Sequence, residues 1–347
     1  MSTDRNNNDI LAAALPLITE WYAAGRRLLP WRTDPSPYHT WIAEIMLQQT
    51  RIEAVIPYYT RFLSELPDIP ALAAVPEDRL LKLWEGLGYY SRARNLKKAA
   101  VMAVEQYGGE LPASAADLRK LPGIGDYTAG AIASIAFGLP EPAVDGNVLR
   151  VLTRLLASRE DVLQQATKRR FTELLRSHYP EGEAAALLTE GIMELGETVC
   201  VPNGLPRCGS CPVRRLCMAH LAGEELSYPV KAAKKERRVE ERTVLLLHCR
   251  GRYAIRKRPD SGLLAGLWEF PNREGNLSPE ALRDLYPGCD VRSAGSAKHI
   301  FTHVEWQMTG YFLDCSEELP GYVWKTPEEI QASYSLPTAF RTYQKKL

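Results

Sequence analysis

The pattern of hydrophobic and polar positions divides the 347-residue chain into two parts. Between residues 10 and 199, apolar residues recur at intervals of three and four, which is the spacing of helices that bury one face. Proline and glycine residues interrupt these segments at intervals, as they do at the ends of helices. The first part of the chain is therefore predicted to be almost wholly α-helical.

The C-terminal third has a different pattern. Residues 244–247 and 253–255 are apolar and flank an Arg-Gly turn, which predicts the two strands of a hairpin. From Val304, apolar and polar residues alternate for six positions, as in a half-buried strand. Ser278 precedes a helical segment in the position of an N-cap. These signals predict a small mixed α/β domain.

Between the two parts lies a segment rich in charge and poor in large apolar residues. Its basic residues are Lys231, Lys234, Lys235, Arg237 and Arg238. This composition is typical of a linker. We therefore predict a helical domain over residues 1–221, a linker over residues 222–241 and a second domain over residues 242–347.

Composition and charge narrow the class of protein. The chain is 45% hydrophobic and 24% charged, which excludes a disordered or collagen-like protein. Its net charge is +1, and residues 1–221 hold 24 Lys and Arg against 25 Asp and Glu, so any polyanionic partner must bind through local features. With no apolar signal or membrane span and no heptad seam, we expect a soluble, cytoplasmic monomer without a membrane partner.

Four of the seven cysteines lie close together, and they are Cys200, Cys208, Cys211 and Cys217. Such clustering favours a metal centre over disulfides. Sites with four cysteines hold zinc or a [4Fe-4S] cluster. Zinc ribbons usually have two close pairs separated by a longer arm, whereas this segment has a single close pair. The spacing therefore favours iron and sulfur, with zinc as the alternative.

Two glycine-rich turns could contact a phosphate backbone. Gly123 and Gly125 permit a tight turn whose amides point outward, and the helix that follows adds its positive dipole end. Such a site binds phosphate without reading sequence, although a turn built only for helix packing could look the same. The second turn, residues 86–94, combines glycines with tyrosines and arginines. Aromatic wedges of this kind suit insertion into a base stack, and the alternative is a tyrosine pair that caps the core.

Two carboxylates suggest hydrolysis of a glycosidic bond. Glu44 is the only ionisable residue in the apolar helical segment 41–50, so desolvation should raise its pKa and make it a general acid. Asp145 stands in an Asp-Gly-Asn turn before a helical segment and could simply cap that helix. If it lies near Glu44, the pair provides one acid for the leaving group and one anion for the cationic sugar.

Several motifs in chain order resemble those of one family. They are LPWR at 29–32, WIAEIMLQQTR at 41–51, GLGYYSRARNL at 86–96, LPGIGDYTAGAI at 121–132, VDGNVLRV at 144–151 and the four cysteines. The chain resembles the MutY-type adenine DNA glycosylases of the helix-hairpin-helix superfamily over nearly its whole length. The resemblance implies a multidomain protein with a mostly α helix-hairpin-helix core, one [4Fe-4S] cluster and an α/β Nudix-like C-terminal domain.

The resemblance also implies an activity. The family flips adenine out of double-stranded DNA and excises it where it is mispaired with 8-oxoguanine or guanine. In a bacterium, such a protein would be associated with the nucleoid in the cytoplasm.

The resemblance assigns roles to residues of this chain. Glu44 matches the acid that protonates adenine, Asp145 matches the carboxylate that stabilises the sugar intermediate, and Tyr127 and Asn147 match residues that assist them. The other assignments are an adenine pocket (Arg27, Trp31, Arg32, Glu190), DNA-binding positions (Gln49, Leu87, Tyr89, Gly123, Ile124, Gly125), an 8-oxoguanine recognition turn (Phe301, Thr302, His303) and cluster ligands (Cys200, Cys208, Cys211, Cys217). One departure is that seven residues separate the first two cysteines where the family usually has six.

Tyr127 also indicates which reaction is catalysed. Relatives that cut the DNA backbone carry a lysine at this hairpin position, and its amine forms a Schiff base with the sugar. A tyrosine cannot do so, which predicts a monofunctional glycosylase that leaves an abasic site.

The C-terminal domain could read the opposite base or be a working Nudix hydrolase. Thr302 replaces the serine of the family's Phe-Ser-His turn and keeps a hydroxyl that could accept from N7-H of 8-oxoguanine. After Gly266 there is no Arg-Glu-x-x-Glu-Glu run to bind magnesium, and Asn272 stands where a glutamate is expected. Hydrolysis of a pyrophosphate is therefore not expected.

Two other functions stay open from the sequence. One is a related glycosylase with another mismatch preference, and the other is a non-catalytic iron-sulfur scaffold that binds DNA.

Overall fold

The computed structural model of the chain describes residues 2–232 and 237–347, with side chains from residue 6 onward. The linker residues Lys234 and Lys235 lie outside the described residues.

The chain divides into two compact units. The first consists of Met1–Ala74 and Asn95–Ala233, and the second of Val75–Arg94 and Lys234–Leu347. The segment Val75–Arg94, which the sequence analysis places in the helical domain, thus groups with the C-terminal part of the chain.

Helices make up the described part of the chain up to residue 221, as the apolar spacing predicts. In chain order they are α1 (Ser2–Gly25), α2 (Pro30–Thr33), α3 (Pro37–Leu47), α4 (Ile52–Glu65), α5 (Ile69–Ala74), α6 (Glu77–Leu83), α7 (Ser91–Tyr107), α8 (Ala115–Leu118), α9 (Asp126–Phe137), α10 (Gly146–Leu155), α11 (Gln165–Arg176), α12 (Glu183–Thr198) and α13 (Met218–Leu221). Short 3₁₀ turns occupy Cys208–Ser210 and Glu225–Ser227.

The core of the first unit brings together helices that are distant in sequence. Helix α12 packs against α1, α9 and α10, and α3 packs against α9. Leu11 and Ile18 of α1 share one buried cluster with Leu152 of α10. The close approach of α10 and α12 requires a small residue, because a Cβ on Gly196 would lie 2.8 Å from the Cβ of Asn147.

The second unit is built on a mixed sheet. Its strands are β1 (Arg238–Cys249), β2 (Arg252–Lys257), β3 (Trp268–Glu269), β4 (Asn272–Glu274), β5 (Cys289–Ile300), β6 (Val304–Cys315) and β7 (Val323–Lys325). The strand order is β3-β2-β1-β6-β5, with β4 paired to β1 and β7 paired to β2. Helices α14 (Pro279–Leu285), α15 (Pro327–Ser333) and α16 (Arg341–Gln344) and a 3₁₀ turn at Thr338–Phe340 accompany the sheet.

The central strand β1 is covered on both faces. It runs parallel to β6 and antiparallel to β2. Val244 and Leu246 contribute to one buried cluster, whereas Leu245 and Leu247 contribute to another. This explains the continuous apolar run at residues 244–247, because a strand buried on both faces loses the alternation of a half-exposed one.

The strand and helix signals of the C-terminal part are confirmed. Strands β1 and β2 form the predicted hairpin, β6 begins at Val304, and the Ser278 side chain accepts the Ala281 amide at the start of α14. Strand β1 already begins at Arg238, inside the segment whose composition predicts a linker. Its first residues continue the parallel register with β6, which pairs Arg238 with Val304.

Pairing of two strands also brings together two cysteines that form a disulfide, which the sequence did not predict. Strands β5 and β6 pair along their length, and Cys289 lies directly opposite Cys315. A disulfide joins the two residues.

In the described part of the chain, no helix combines the length and the apolar character that a membrane span requires.

Candidate active site

A cavity of about 440 Å³ in the first unit brings together most of the predicted catalytic and adenine-binding residues. A cavity of this size is in the range that holds a small organic ligand. The predicted residues that line it are Trp31, Arg32, Glu44, Gln49, Tyr127, Asp145, Asn147 and Glu190.

Glu44 lies on α3 and is only 7% exposed. The pKa of its carboxyl is raised to about 7, chiefly by burial and to a lesser extent by the nearby Asp145 and Glu190 carboxylates. The Tyr127 hydroxyl donates a hydrogen bond to Glu44 Oε2 at 2.6 Å, and this bond lowers the pKa of Glu44. About half of a group with this pKa carries a proton at neutral pH, so Glu44 can serve as an acid.

Asp145 is the N-cap of α10 and lines the same cavity. Its Oδ1 accepts the Val148 amide at 2.8 Å, and its Oδ2 accepts the Asn147 side-chain amide at 2.8 Å. Burial raises the pKa of Asp145, whereas these donors and the charge of Arg150 favour the anion. The capping role and the position beside Glu44 are thus compatible, because one carboxylate serves both.

A network of arginine and glutamate side chains forms one wall of the cavity. Glu190 accepts a hydrogen bond from the Tyr22 hydroxyl at 2.9 Å, and its Oε1 lies 3.5 Å from Arg32 Nε. Arg32 Nη2 also donates to Glu194 Oε2 at 2.9 Å. Arg27 is not among the residues that line the cavity, but it donates to the same Glu194 oxygen at 2.9 Å. Three residues predicted for the adenine pocket, Arg27, Arg32 and Glu190, therefore belong to one network in the structure.

Glu194 is a cavity residue that the sequence analysis missed. It is 4% exposed and receives hydrogen bonds from two arginines. A signal existed in the sequence, because Glu190 and Glu194 are four residues apart and therefore share one face of α12.

Gln49 and Tyr89, which match the family positions that wedge the DNA duplex open, have a backbone conformation that residues other than glycine rarely adopt. Gln49 is exposed at the rim of the cavity with φ at 59°. Tyr89, in the second unit, is 47% exposed with φ at 47°. Such conformations cost about 1–3 kcal/mol each and cluster at functional sites.

The hairpin residues connect α8 to α9 as predicted. Gly123 has φ at +82°, and a Cβ there would lie 2.7 Å from the Cβ of Asn95. Among the described side chains, none caps the start of α9 at Gly125, so its first amides can face an anion. Ile124 is 5% exposed, so its backbone, rather than its side chain, is placed to contact a phosphate.

The four clustered cysteines line a common cavity. Burial and the neighbouring sulfurs raise the pKa of Cys211 to about 12, and burial together with the Glu225 carboxylate raises that of Cys208 to about 11. A bound cation reverses this effect, because it stabilises the thiolate form of each ligand. The donor set fits either a [4Fe-4S] cluster or zinc. His220 and Glu225 also lie with Cys208 in a group whose ligand atoms are within 4.8 Å of one another.

Helix α10 connects the cysteine loop to the carboxylate cavity. Arg150 donates to the side-chain oxygen of Asn147 at 2.8 Å and to the carbonyl of Cys200 at 2.8 Å. Arg154 lies on the same helix and donates to Cys200 Sγ at 3.3 Å. One helix therefore holds Asp145 at its start and the first cysteine along its side.

A second cavity, of about 500 Å³, lies within the second unit. It collects Leu87, Tyr89 and the predicted recognition residues Phe301, Thr302 and His303. The Tyr89 hydroxyl lies 3.4 Å from the exposed Thr302 hydroxyl. Leu87 is 7% exposed, so its side chain lies largely inside the fold.

Phe301 is held by aromatic packing. Its ring makes edge-to-face contacts with His299 at 4.6 Å and with Trp306 at 5.0 Å, measured between ring centroids. His303 is exposed, and its carbonyl accepts the Arg238 amide at 3.1 Å. The turn thus presents the Thr302 hydroxyl outward from an anchored aromatic residue.

Two family models match separate parts of the chain. Residues 42–177 match the family described as HhH-GPD superfamily base excision DNA repair protein, and residues 242–346 match the NUDIX domain. A thermostable thymine-DNA glycosylase superposes with a TM-score of 0.56 at 27% identity, covering 62% of this chain and 98% of its own. Endonuclease III in a non-covalent DNA complex gives a TM-score of 0.53 at 27% identity, covering 63% of this chain and 97% of its own.

The adenine DNA glycosylase of Mus musculus is 34% identical over 94% of this chain and 77% of its own length. This match spans both units and the motifs on which the resemblance rests. The chain therefore belongs to the adenine DNA glycosylase family of the HhH-GPD base excision repair superfamily.

Proposed function

We propose that this adenine DNA glycosylase acts on adenine opposite 8-oxoguanine or guanine in double-stranded DNA, as a monomer and without cutting the backbone. The observation that carries the proposal is the buried Glu44, hydrogen-bonded to Tyr127 in a cavity that Asp145 also lines. The reaction hydrolyses the N-glycosidic bond and leaves an abasic site.

Glu44 and Asp145 divide the chemistry of bond cleavage. Protonated Glu44 donates to a ring nitrogen of adenine, so the base departs as a neutral molecule. The electron pair of the glycosidic bond leaves with the base, and the sugar becomes an oxocarbenium-like cation. Asp145, whose anion accepts hydrogen bonds from Val148 and Asn147, stabilises that cation until water adds to it.

The wall of the cavity supports recognition of a purine edge. Trp31 provides an apolar surface, while Arg32 and Glu190 offer a donor and an acceptor that already bond to protein groups. Groups whose positions are fixed in this way discriminate between bases, because a base without the matching donor or acceptor would cover their remaining hydrogen-bonding capacity without satisfying it.

The cysteine loop supports the assignment of a [4Fe-4S] cluster. Cys200, Cys208, Cys211 and Cys217 would hold it, and once bound it would cross-link the loop. Arg150 and Arg154 of α10 bind the backbone and sulfur of Cys200 and so hold the loop against that helix.

Contact with DNA is supported by the hairpin between α8 and α9. Its backbone amides and the start of α9 form an anion site that reads no base sequence. Because the first domain is not broadly basic, we expect only a moderate dependence of binding on salt.

Reading of the opposite base is supported by the second cavity. 8-Oxoguanine carries a hydrogen on N7 and an oxygen on C8, whereas guanine has a bare N7 acceptor. The Thr302 hydroxyl can accept from N7-H while the Tyr89 hydroxyl lies 3.4 Å away and can donate to Thr302.

The role of Glu44 is tested by Glu44→Gln, which keeps the size of the side chain and removes its acid. We expect single-turnover excision of adenine to slow by about 100- to 10,000-fold while affinity for the duplex persists. In the wild type, the rate falls as the pH rises above about 7, because Glu44 loses its proton. That decline should be absent from the residual activity of the variant.

The matched control is Glu53→Gln, on the exposed side of α4, which should excise at the wild-type rate. Undiminished excision by Glu44→Gln would show that the acid lies elsewhere. A wild-type chain that binds the duplex but releases no base would support the scaffold alternative.

The monofunctional mechanism is tested by borohydride reduction during turnover. Because Tyr127 replaces the lysine amine that would attack the sugar, no covalent protein-DNA product should accumulate above background. A bifunctional glycosylase with the lysine serves as the positive control. Substantial trapping of the wild-type chain contradicts this mechanism.

The metal centre is tested by elemental analysis and visible absorbance of the purified chain. We expect about four iron ions per chain, broad visible absorbance and little zinc. Cys211→Ser should lose most of the iron because it removes one of four ligands, whereas Cys249→Ala, outside the loop, should retain it. One zinc per chain with no iron would replace the cluster assignment.

The reading of the opposite base is tested by Thr302→Val, which keeps the shape and removes the hydroxyl. The ratio of the excision rate for adenine opposite 8-oxoguanine to that for adenine opposite guanine should fall about tenfold, because this factor corresponds to the free energy of about one hydrogen bond. Thr309→Val, within β6 and outside the cavity, is the matched control. An unchanged ratio means that 8-oxoguanine is recognised elsewhere, and preferred excision of thymine opposite guanine would point to the other mismatch class.

A further inference from the structure

Three cysteines outside the metal loop form a row across three neighbouring strands. Cys289 begins β5, Cys315 ends β6 and Cys249 ends β1. The strand order β1-β6-β5 places Cys315 on the middle strand of the three. Cys289 and Cys315 are joined by a disulfide, and Cys249 is a free thiol.

The register of β1 and β6 brings Cys249 beside the disulfide. These strands run parallel and pair His248 with Asp314, so the next residues, Cys249 and Cys315, follow as neighbours. All three cysteines contact the same buried cluster, which includes Leu247 and Leu313, and therefore lie on one face of the sheet. Adjacent strands are about 4.8 Å apart, so Cys249 and Cys315 occupy neighbouring positions on that face.

The order of the three sulfurs suits thiol–disulfide exchange. In this reaction, a thiolate attacks one sulfur of a disulfide and expels the other. Cys249 and Cys289 lie on opposite sides of Cys315, because their strands flank β6 on either side. The attacking and leaving cysteines thus flank the central one across the sheet.

Exposure distinguishes the two ends of the row. Cys249 is only 2% exposed, whereas Cys289 and Cys315 are partly exposed. Exchange would therefore convert a buried free thiol into one that small molecules can reach.

We propose that Cys249, Cys315 and Cys289 form an intramolecular thiol–disulfide exchange site in the second unit. The Cys249 thiolate attacks Cys315 Sγ, the Cys315–Cys289 bond breaks, and Cys289 leaves as a thiolate. The proton released by Cys249 ends on Cys289. The number of disulfides is unchanged, so the step needs no oxidant or reductant.

The exchange has a structural consequence for the β5–β6 hairpin. The Cys289–Cys315 bond closes the open end of this hairpin, and the turn at residues 301–303 lies at its other end. Moving the bond to Cys249 and Cys315 releases β5 and ties β6 to β1 instead. The free Cys289 thiol then becomes the position at which an external small disulfide, such as oxidised glutathione, can form a mixed disulfide.

The proposal is tested by disulfide mapping of the full chain, purified with its metal centre and quenched in acid so that exchange stops. In wild type, native alkylation with iodoacetamide should label Cys289 progressively as exchange exposes it. In Cys249→Ala, the Cys289–Cys315 disulfide should persist and labelling of Cys289 should be lost. Equal labelling of Cys289 in both chains, or labelling in neither, overturns the proposal.

A second variant examines the attack itself. After treatment of Cys289→Ser with oxidised glutathione, the peptides should show a Cys249–Cys315 disulfide, formed when Cys249 expels glutathione from Cys315. A stable glutathione adduct on Cys315, with Cys249 still free, contradicts the proposed arrangement. If Cys289→Ser does not fold, the wild-type labelling experiment and its Cys249→Ala control decide the question.

Discussion

The removal of one carboxyl group from water is the constraint that organises the first unit. Glu44 is 7% exposed on an apolar helix, where an uncompensated charge would cost several kcal/mol. A pKa of about 7 lets the group keep its proton part of the time, and Tyr127 supplies a donor when it does not. The charged side chains across the cavity are paired in the same way, because Arg27 and Arg32 share Glu194. The buried charged groups Arg32 and Glu194 are thus paired with each other inside the cavity.

Helix α10 connects the position of Asp145 in the cavity to the cysteine loop. Asp145 is the N-cap of this helix and lines the cavity. Further along the helix, Arg150 donates to the Cys200 carbonyl and Arg154 to the Val201 carbonyl. Arg150 and Arg154 are 6% and 3% exposed, so they lack water as an alternative partner. A displaced cysteine loop would remove the acceptors that Cys200 and Val201 offer these buried guanidinium groups, which costs more than losing an exposed bond. The position of Asp145 is therefore coupled to the order of the loop through a single rigid element.

The sequence predicted those features of the structure that depend only on residues close together in the chain. The lone Glu44 in an apolar segment, the glycine hairpin at Gly123 and the Ser278 cap each act within one or two turns of chain, and the structure contains all three features. Glu194 was missed because an acid on a helix is usually solvated, and only the packing of α12 brings it to two arginines. The Cys289–Cys315 bond depends on the register of two long strands, which no short motif encodes. The grouping of Val75–Arg94 with the C-terminal part likewise follows from contacts distant in sequence.

Each of the two cavities contains a buried or packed side chain and an exposed residue with a strained backbone. The packed residue is Glu44 in the first cavity and Phe301 in the second. Gln49 adopts a positive φ at the rim of the first cavity, and Tyr89 does so at the second. A tight turn, in which the Phe301 amide bonds to the Val304 carbonyl, presents Thr302 between Phe301 and His303. Because Phe301 packs on the buried Trp306, the direction of the neighbouring hydroxyl is fixed by the core rather than by the loop alone. Strain at positions such as Gln49 and Tyr89 persists only where the surrounding structure determines the backbone.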